Sequence, residues 1–479
     1  MRPSSLLRTV GFLVPRSSFL LLLATSLPAQ DASRAAQNAL GRSILKELIE
    51  TNTTHGTGNT TLAADTLAIR FRAAGFPAAD VQVIGPRERN KNLVVRYRGS
   101  GSRRPILLIA HLDVVEAKRE DWSVDPFKLL EKDGYFYGRG TLDVKGSAAT
   151  LVAGLLRLKQ EGFVPDRDII LALTAGEESG GDYNGVDWLI REHKDLIDAE
   201  YCFNVDAGGA ELRNGKPATF DVQASEKVFQ SFSWTVRNAG GHSSLPTKDN
   251  AIYHLARALT RWSTFAFPPR MTEVTRAYFE RMAPLVGRAV GAEMRAVAHT
   301  PLDAAAAARL SAVAPFYNAQ LRTTCVATEL QGGHAENALP QLARAVVNCR
   351  MLPGEDPRAV QRTMVVVAAD TQVVIDTVAA SQPSPPSPLT PALLETIASV
   401  THSVWGNIPV IPEMETGATD GLWLRNAGMP VYGVSGIPYD PDDVRAHGRD
   451  ERIGVEAFDQ GLEFTYRLIR AVSSPTLAP

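Results

Sequence analysis

Five segments of this chain put histidine or carboxylate where chemistry can be done. They are His111-Leu-Asp113, Asp143 at the end of Gly138-Arg-Gly-Thr-Leu-Asp143, the Glu177-Glu178 pair, Asp206 in Asp206-Ala-Gly-Gly209, and His447 in a Gly- and Asp-rich loop. Two imidazoles and three carboxylates make a donor set for two borderline divalent ions, zinc first and manganese or cobalt next. A carboxylate can bridge two such ions about 3.5–4 Å apart, and the ions lower the pKa of a bound water so that it attacks at neutral pH. Each piece alone has a plain structural alternative. A lone histidine can be a satisfied core residue, Glu-Glu can be a solvated helix face, and Asp143 can cap the helix that follows it. The combination is harder to explain that way, because an apolar strand runs straight into Glu177-Glu178.

These residues sit at the ends of predicted elements. Short apolar runs read as strands at Asn92–Tyr97, Pro105–Ala110, Asp168–Thr174 and Glu200–Val205. Helical periodicity covers 33–50, Thr61–Ala74, Gly146–Gln160 and Val186–His193. Strands alternating with helices predict an α/β domain with a mostly parallel sheet, and ligands in such sheets collect at the carboxyl ends of strands. The pattern changes near residue 220. Strands are expected at Ser231–Asn238, Ala343–Met351 and Val373–Ala379, and helices at Ala251–Phe265 and Asp356–Ala368. A long Ala- and Arg-rich helical stretch at 269–325 looks like an insertion. The Pro-rich run Ser381–Pro388 reads as a stiff linker. Helix, strand and helix then follow near Pro391–Val404, Pro430–Val434 and Val455–Val472. The division expected is 30–220 and 383–479 for one α/β domain, with an α+β domain at 221–382 inserted into it.

The chain has 479 residues, 44% of them hydrophobic and 21% charged, which suits a folded chain with a large core. Fifty basic residues balance 52 acidic ones, so nothing electrostatic supports a nucleic-acid partner. Residues 1–29 read as a signal peptide: Arg2, Arg8 and Arg16, an apolar run from Phe19, then Leu27-Pro28-Ala29. The expected place is therefore secreted or periplasmic, without a membrane span after processing. A retained N-terminal anchor is the alternative, although the run is short of a span. Of three cysteines, Cys325 and Cys349 could pair and leave Cys202 over, or all three could be free and buried.

The motifs, in order, resemble the co-catalytic zinc exopeptidase and aminoacylase family of glutamate carboxypeptidase, carboxypeptidase S, succinyl-diaminopimelate desuccinylase, aminoacylase and carnosinase. The matching stretches are Ala110-His-Leu-Asp-Val-Val115, Tyr137-Gly-Arg-Gly-Thr-Leu-Asp-Val-Lys-Gly146, Thr174-Ala-Gly-Glu-Glu-Ser-Gly-Gly181 and Asn204-Val-Asp-Ala-Gly-Gly209. Gly240-Gly-His-Ser-Ser-Leu-Pro246, Asn337-Ala-Leu-Pro340 and Ala446-His-Gly-Arg-Asp-Glu-Arg-Ile453 complete the set. The longest matches resemble the carboxypeptidase S branch.

The resemblance implies roles. His111 would bind one metal, Asp143 would bridge both, Glu178 and Asp206 would complete opposite sites, and His447 would be the remaining ligand. Glu177, free of metal, would be the general base, and Asp113 would orient His111. The 221–382 domain would be a lid and dimerisation domain. From it His242 would reach the partner subunit's site and stabilise the oxyanion. Asn337 and Arg350 would bind substrate, Arg350 through its carboxylate. Thr419 falls in Gly417-Ala-Thr-Asp420, where the family has two glycines, so its substrate role rests on a departed motif. His55, His193, His254, His299, His334 and His402 match no family position.

The activity implied is hydrolysis of an amide bond in dipeptides, short peptides or N-acyl amino acids by a homodimer holding two divalent ions. Asp at position 206 accompanies aminopeptidase or dipeptidase activity in the family, and Glu accompanies carboxypeptidase or deacylase activity. The alternatives are a zinc aminopeptidase without a dimerising lid, and a metal-binding protein that has lost catalysis.

Overall fold

The computed structural model describes residues 26–179 and 182–474. Most of the expected signal peptide lies outside these residues, and the first helix, Ser26–Glu50, begins ahead of the expected cleavage point. Among the described residues no helix is long and apolar enough to cross a membrane.

The central sheet runs in the order Val81–Ile84, Asn92–Tyr97, Ile169–Thr174, Ile106–His111, Cys202–Asn204, Val431–Gly433, Lys216–Glu226, Val410–Glu415. The four strands from Ile169–Thr174 to Val431–Gly433 are parallel, and antiparallel pairs occur toward both flanks. Ile106–His111 and Ile169–Thr174 are buried at every position, as a strand covered on both faces must be. The pleat sends alternate residues to opposite sides. Ile106, Leu108 and Ala110 join the large core under Lys145–Gln160 and Val455–Val472. Leu107 and Ile109 face Val186, Leu189 and Leu424 on the other side.

A second, antiparallel sheet has the order Thr324–Gly332, Leu342–Met351, Val228–Arg237, Val374–Thr377. Burial alternates along Val228–Arg237 and Leu342–Met351. One face packs Phe232, Trp234 and Val347 against Leu255, Trp262 and Met364 of helices Ala251–Ser263 and Pro357–Ala368. Cys325 and Cys349 lie directly opposite in this sheet and are disulfide-bonded, while Cys202 is free and buried.

Three placements depart from the sequence reading. The central sheet continues past residue 220, because Lys216–Glu226 is one of its strands. The insertion at 269–325 ends as helix at Leu321, and a strand begins at Thr324. Its helices, Glu273–Met282, Arg288–Ala298, Ala304–Val313 and Pro315–Leu321, pack on the central sheet. Their core includes Ile411 of the strand Val410–Glu415. That strand is an edge, and edges expose unpaired backbone groups. Arg281 Nη1 donates to the Val410 carbonyl at 2.8 Å and Gln320 Nε2 to the Met414 carbonyl at 2.6 Å, so the insertion seals it. The Pro-rich linker is stitched down as well: Ser384 Oγ donates to Glu226 at 2.8 Å and Ser387 Oγ to the Val431 carbonyl at 2.7 Å.

Candidate metal centre

The parallel strands deliver the acids and imidazoles to one end of the sheet. His111 closes Ile106–His111, Glu177 and Glu178 follow Ile169–Thr174, and Asp206 follows Cys202–Asn204. Asp143 lies just before Lys145–Gln160. The residue preceding that helix is Val144 and no side chain caps it, so the capping alternative for Asp143 falls away.

Asp143 sits between the two imidazoles. His111 Nε2 is 3.1 Å from its Oδ1 and His447 Nε2 is 3.0 Å from its Oδ2. His111 Nε2 is also 3.6 Å from Asp206, and His447 Nε2 is 2.8 Å from Glu178. Two donor sets result, His111–Asp143–Asp206 and Asp143–Glu178–His447, each with ligand atoms within 4.8 Å of one another. Glu177 lies beside them, grouped with His111 and Glu178 at the same spacing.

The donor chemistry fits divalent cations. His111 Nδ1 lies 2.9 Å from the Asp113 carbonyl, an acceptor, so Nδ1 carries the hydrogen. A neutral imidazole then turns its Nε2 lone pair toward carboxylate oxygens that are acceptors too. Only a cation or a proton between them relieves that contact. The charges bear this out. Burial opposes the charge on His111, yet Asp206 and Asp143 outweigh it and hold the imidazole well above its usual range. Hydrogen bonds with Asp143 and Glu178 raise His447 to about 10. Burial pushes Asp206 up to about 7 against the pull of His111. Burial also drives Glu177 well above an ordinary glutamate, with Asp206, Asp420 and Glu178 adding to it and His111 opposing.

Asp113 does more than, and differently from, what the resemblance implied. Its backbone carbonyl, not its carboxylate, meets His111. The carboxylate accepts the N–H groups of Gly176, Glu177 and Glu178 at 2.7, 3.3 and 2.9 Å. The reason is local: a buried turn carrying two acids leaves three N–H donors that need an acceptor.

Residues without a role in the sequence reading hold the rest. Glu451 is fully buried and accepts from Leu142 N at 2.8 Å, Asp143 N at 3.0 Å and Arg139 Nη1 at 2.5 Å. Arg139 Nη2 donates to the carbonyls of His447 (3.3 Å) and Gly448 (3.0 Å). His447 has φ +61°, a left-handed backbone that a non-glycine residue rarely adopts unless its surroundings impose it. Lys145 Nζ donates to the carbonyls of Leu48 and Thr51 at 2.8 and 2.9 Å. Asp420, raised to about 6 by burial, accepts from Asn184 at 2.5 Å and Thr174 at 2.9 Å. The only sequence signal for Arg139, Lys145 and Glu451 was their place inside the matching motifs.

The remaining predicted residues lie elsewhere. His242 is exposed on the two-residue ladder of Gly241–His242 with Ala338–Leu339, and Ser243 N donates to the Asn337 carbonyl at 3.0 Å. Among the described residues no hydrogen bond joins His242 or Asn337 to the metal-ligand cluster. Arg350 stacks on Phe229 with its guanidinium 4.9 Å from the ring centroid, and burial lowers its pKa. Thr419 is buried and its hydroxyl donates to Glu226 at 2.9 Å, so that side chain faces the interior.

Imidazoles and carboxylates gathered at the carboxyl ends of a mostly parallel α/β sheet make a donor cluster suited to divalent metal ions. The chain matches Peptidase family M20/M25/M40 over residues 107–471 and belongs to that family. It is thus an enzyme of the metallopeptidase and amidohydrolase kind. It is 30% identical over 379 residues to the human N-fatty-acyl-amino acid synthase/hydrolase PM20D1, covering 77% of this chain and 74% of that protein. It is 29% identical to the probable carboxypeptidase S-like 2 of Dictyostelium discoideum, over 80% and 74% of the two chains. The fold is shared with an M20 family metallo-carboxypeptidase from Sulfolobus solfataricus, with TM-score 0.67, 17% identity, and 90% and 98% of the chains covered.

Proposed function

We propose that this chain is a dinuclear metal hydrolase that cleaves an amide bond next to a free carboxylate in dipeptides, short peptides or N-acyl amino acids. The observation that carries it is the single carboxylate of Asp143 set between His111 and His447 at 3.1 and 3.0 Å. His111, Asp143 and Asp206 would hold one divalent ion, and Asp143, Glu178 and His447 the other, with zinc first and cobalt or manganese suited to the same donors. When bound, the ions supply an activated water and polarise the substrate carbonyl.

Glu177 does the proton work. Its carboxylate accepts no hydrogen bond from any described residue, and burial raises its proton affinity. A carboxylate oxygen of Glu177 takes the proton of the attacking water and delivers it to the leaving amine nitrogen. Arg350, which pairs with no acid among the described residues, receives the substrate carboxylate. His242, which is exposed and makes no hydrogen bond to the metal-ligand cluster among the described residues, donates to the oxyanion in a second copy of the chain, beside Asn337. The exposed edge strand Thr324–Gly332, with Val326 and Leu330 at its surface, supports a homodimer, since such an edge invites pairing. The Cys325–Cys349 disulfide supports export to an oxidising compartment, secreted or periplasmic, with an N-terminal anchor as the alternative.

The test is release of free amine from dipeptides, C-terminally blocked dipeptides and N-acyl amino acids, with zinc added. Cleavage that requires the free carboxylate is expected. Turnover of blocked substrates with a free N-terminus would overturn the Arg350 role and make the enzyme an aminopeptidase. Glu177→Gln should lower kcat by roughly a thousandfold with metal content unchanged; residual activity near wild type sinks the proton-transfer role.

A further inference from the structure

A cavity of about 430 Å³ lies between the helical insertion and the edge of the central sheet. Its floor is acidic, with Glu211, Asp221, Glu413 and Glu415 contributed by three neighbouring strands. Arg213 is the cation that reaches it, and it pairs with Glu211 at 3.2 Å. Asp221 is only 5% exposed, lines the cavity, and forms no hydrogen bond or ion pair with any described side chain. Glu413 has no such partner either, whereas Glu415 accepts the N–H groups of Thr416 and Gly417 at 2.8 and 3.2 Å.

The opposite wall is aromatic. Tyr278, Phe316 and Tyr317 come from the insertion, whereas Tyr439, in the loop after Val431–Gly433, is bridged to Glu211 on the acidic side. Tyr278 is also 5% exposed, and its hydroxyl bonds to no described residue. Buried carboxylates are costly unless paired, and the cost is visible here: burial, with Glu211 adding to it, pushes Asp221 up to about 8. Acids on one side and aromatic side chains on the other form a lining that accommodates an organic cation.

The geometry points to a binding site for an organic cation, a di- or polyamine whose ammonium groups meet Asp221 and Glu413 and whose methylenes lie on Tyr278 and Tyr317. A single metal ion is the poorer occupant. Among the described residues, the sets of three or more metal-ligating side chains with donor atoms within 4.8 Å are those around His111, Asp143 and Glu178, not these acids. Ile411 lies opposite Asp221 and Gln223 opposite Glu413, so the two acids are offset by two residues on neighbouring strands and suit two ammonium groups joined by a short methylene chain. None of the four acids belongs to the metal-ligand cluster, and Asp221 and Glu413, the two that meet the amine, form no hydrogen bond or ion pair with a residue assigned to the proposed reaction.

Calorimetric titration of the full chain with spermidine tests it, with calcium and magnesium chloride as comparison titrants. Both metal-loaded and chelator-treated protein are titrated, because the acids around His111 could also attract an amine. Saturable one-to-one binding of spermidine is expected in both forms. Asp221→Asn and Glu413→Gln should each weaken it about tenfold or more, the usual cost of removing one partner of a desolvated charge pair. Tyr317→Ala, which removes a ring on which the methylenes lie, should weaken it several-fold and keeps the test open if Asp221→Asn fails to fold. The inference is overturned by absence of saturable binding, by binding that vanishes on metal loading, by calcium or magnesium binding in place of the amine, or by affinity unchanged in the variants.

Discussion

The carboxylate of Asp113 accepts the backbone N–H of Glu178 at 2.9 Å, while the carbonyl of the same residue takes His111 Nδ1 at 2.9 Å. One residue therefore sets the positions of two expected metal ligands through different atoms. The main-chain contact orients the imidazole, and the side chain shapes the turn that presents Glu177 and Glu178.

Asp113→Asn separates these two tasks. The carbonyl is untouched, so His111 keeps its orientation. Asparagine keeps one oxygen for Gly176 N and Glu177 N but turns an NH2 toward the Glu178 N–H, which loses its acceptor; a charge-assisted bond of this kind contributes about 1.5–3 kcal/mol. The expected result is a fall in stability of about 2–3 kcal/mol and a kcat reduced far more than the affinity of the His111 site for metal. Equal loss of metal affinity and kcat, read by chelator competition, would show that the carboxylate serves His111 instead.

Glu451→Gln addresses the link between Asp143 and His447. Arg139 and Glu451 are an ion pair at 2.5 Å with side chains 3% and 0% exposed. Removing one charge strands the other, at a cost of about 3–5 kcal/mol. It also loosens the loop of His447. Loss of an outer-shell partner typically lowers metal affinity about 10–100-fold, and here the second donor set should suffer first. Stepwise metal titration checks it: the weaker-binding equivalent should shift while the other stays in place.

Lys227 stands between Lys216–Glu226 and Val228–Arg237, where the chain passes from one sheet to the other. It is 1% exposed and its Nζ donates to the Arg322 carbonyl at 2.7 Å and Thr324 Oγ1 at 3.2 Å. Burial lowers it from 10.5 to about 7. A depressed folded-state pKa means that the unfolded chain binds more protons between those values, so this group's contribution to stability rises from about pH 7 to pH 10.5 and is lost as pH falls back through 7. Lys227→Met should therefore cost little at pH 6 and more at pH 9. Denaturant midpoints at the two pH values decide it; a cost independent of pH would mean that the lysine is charged throughout.

The convergence of the expected ligands was legible because His111, Glu178 and Asp206 are each written at or just after a strand of the central sheet, and Asp143 and His447 in loops. Asn92–Tyr97 and Val455–Val472 form over the predicted residues, and His111, Asp143, Glu178, Asp206 and His447 converge as their positions at strand and loop ends suggested. Hydrophobic periodicity is a local property, and a parallel sheet turns it into one shared rim. Less legible were strands with weak periodicity or at an edge. Lys216–Glu226 was read as a boundary and Val410–Glu415 not at all, since Asp221 and Glu413 interrupt their apolar pattern.

The sequence by itself determined the donor types, their order and the α/β alternation that brings them to one end. Tertiary structure alone decided which atom of Asp113 meets His111, and that Glu451 pairs with Arg139 across 312 positions. It also decided between a paired and a free Cys325, and sent the 269–325 helices to the edge strand Val410–Glu415. Those choices depend on which surfaces remain unburied and which polar groups remain unsatisfied once the elements have packed, and no spacing along the chain carries that information.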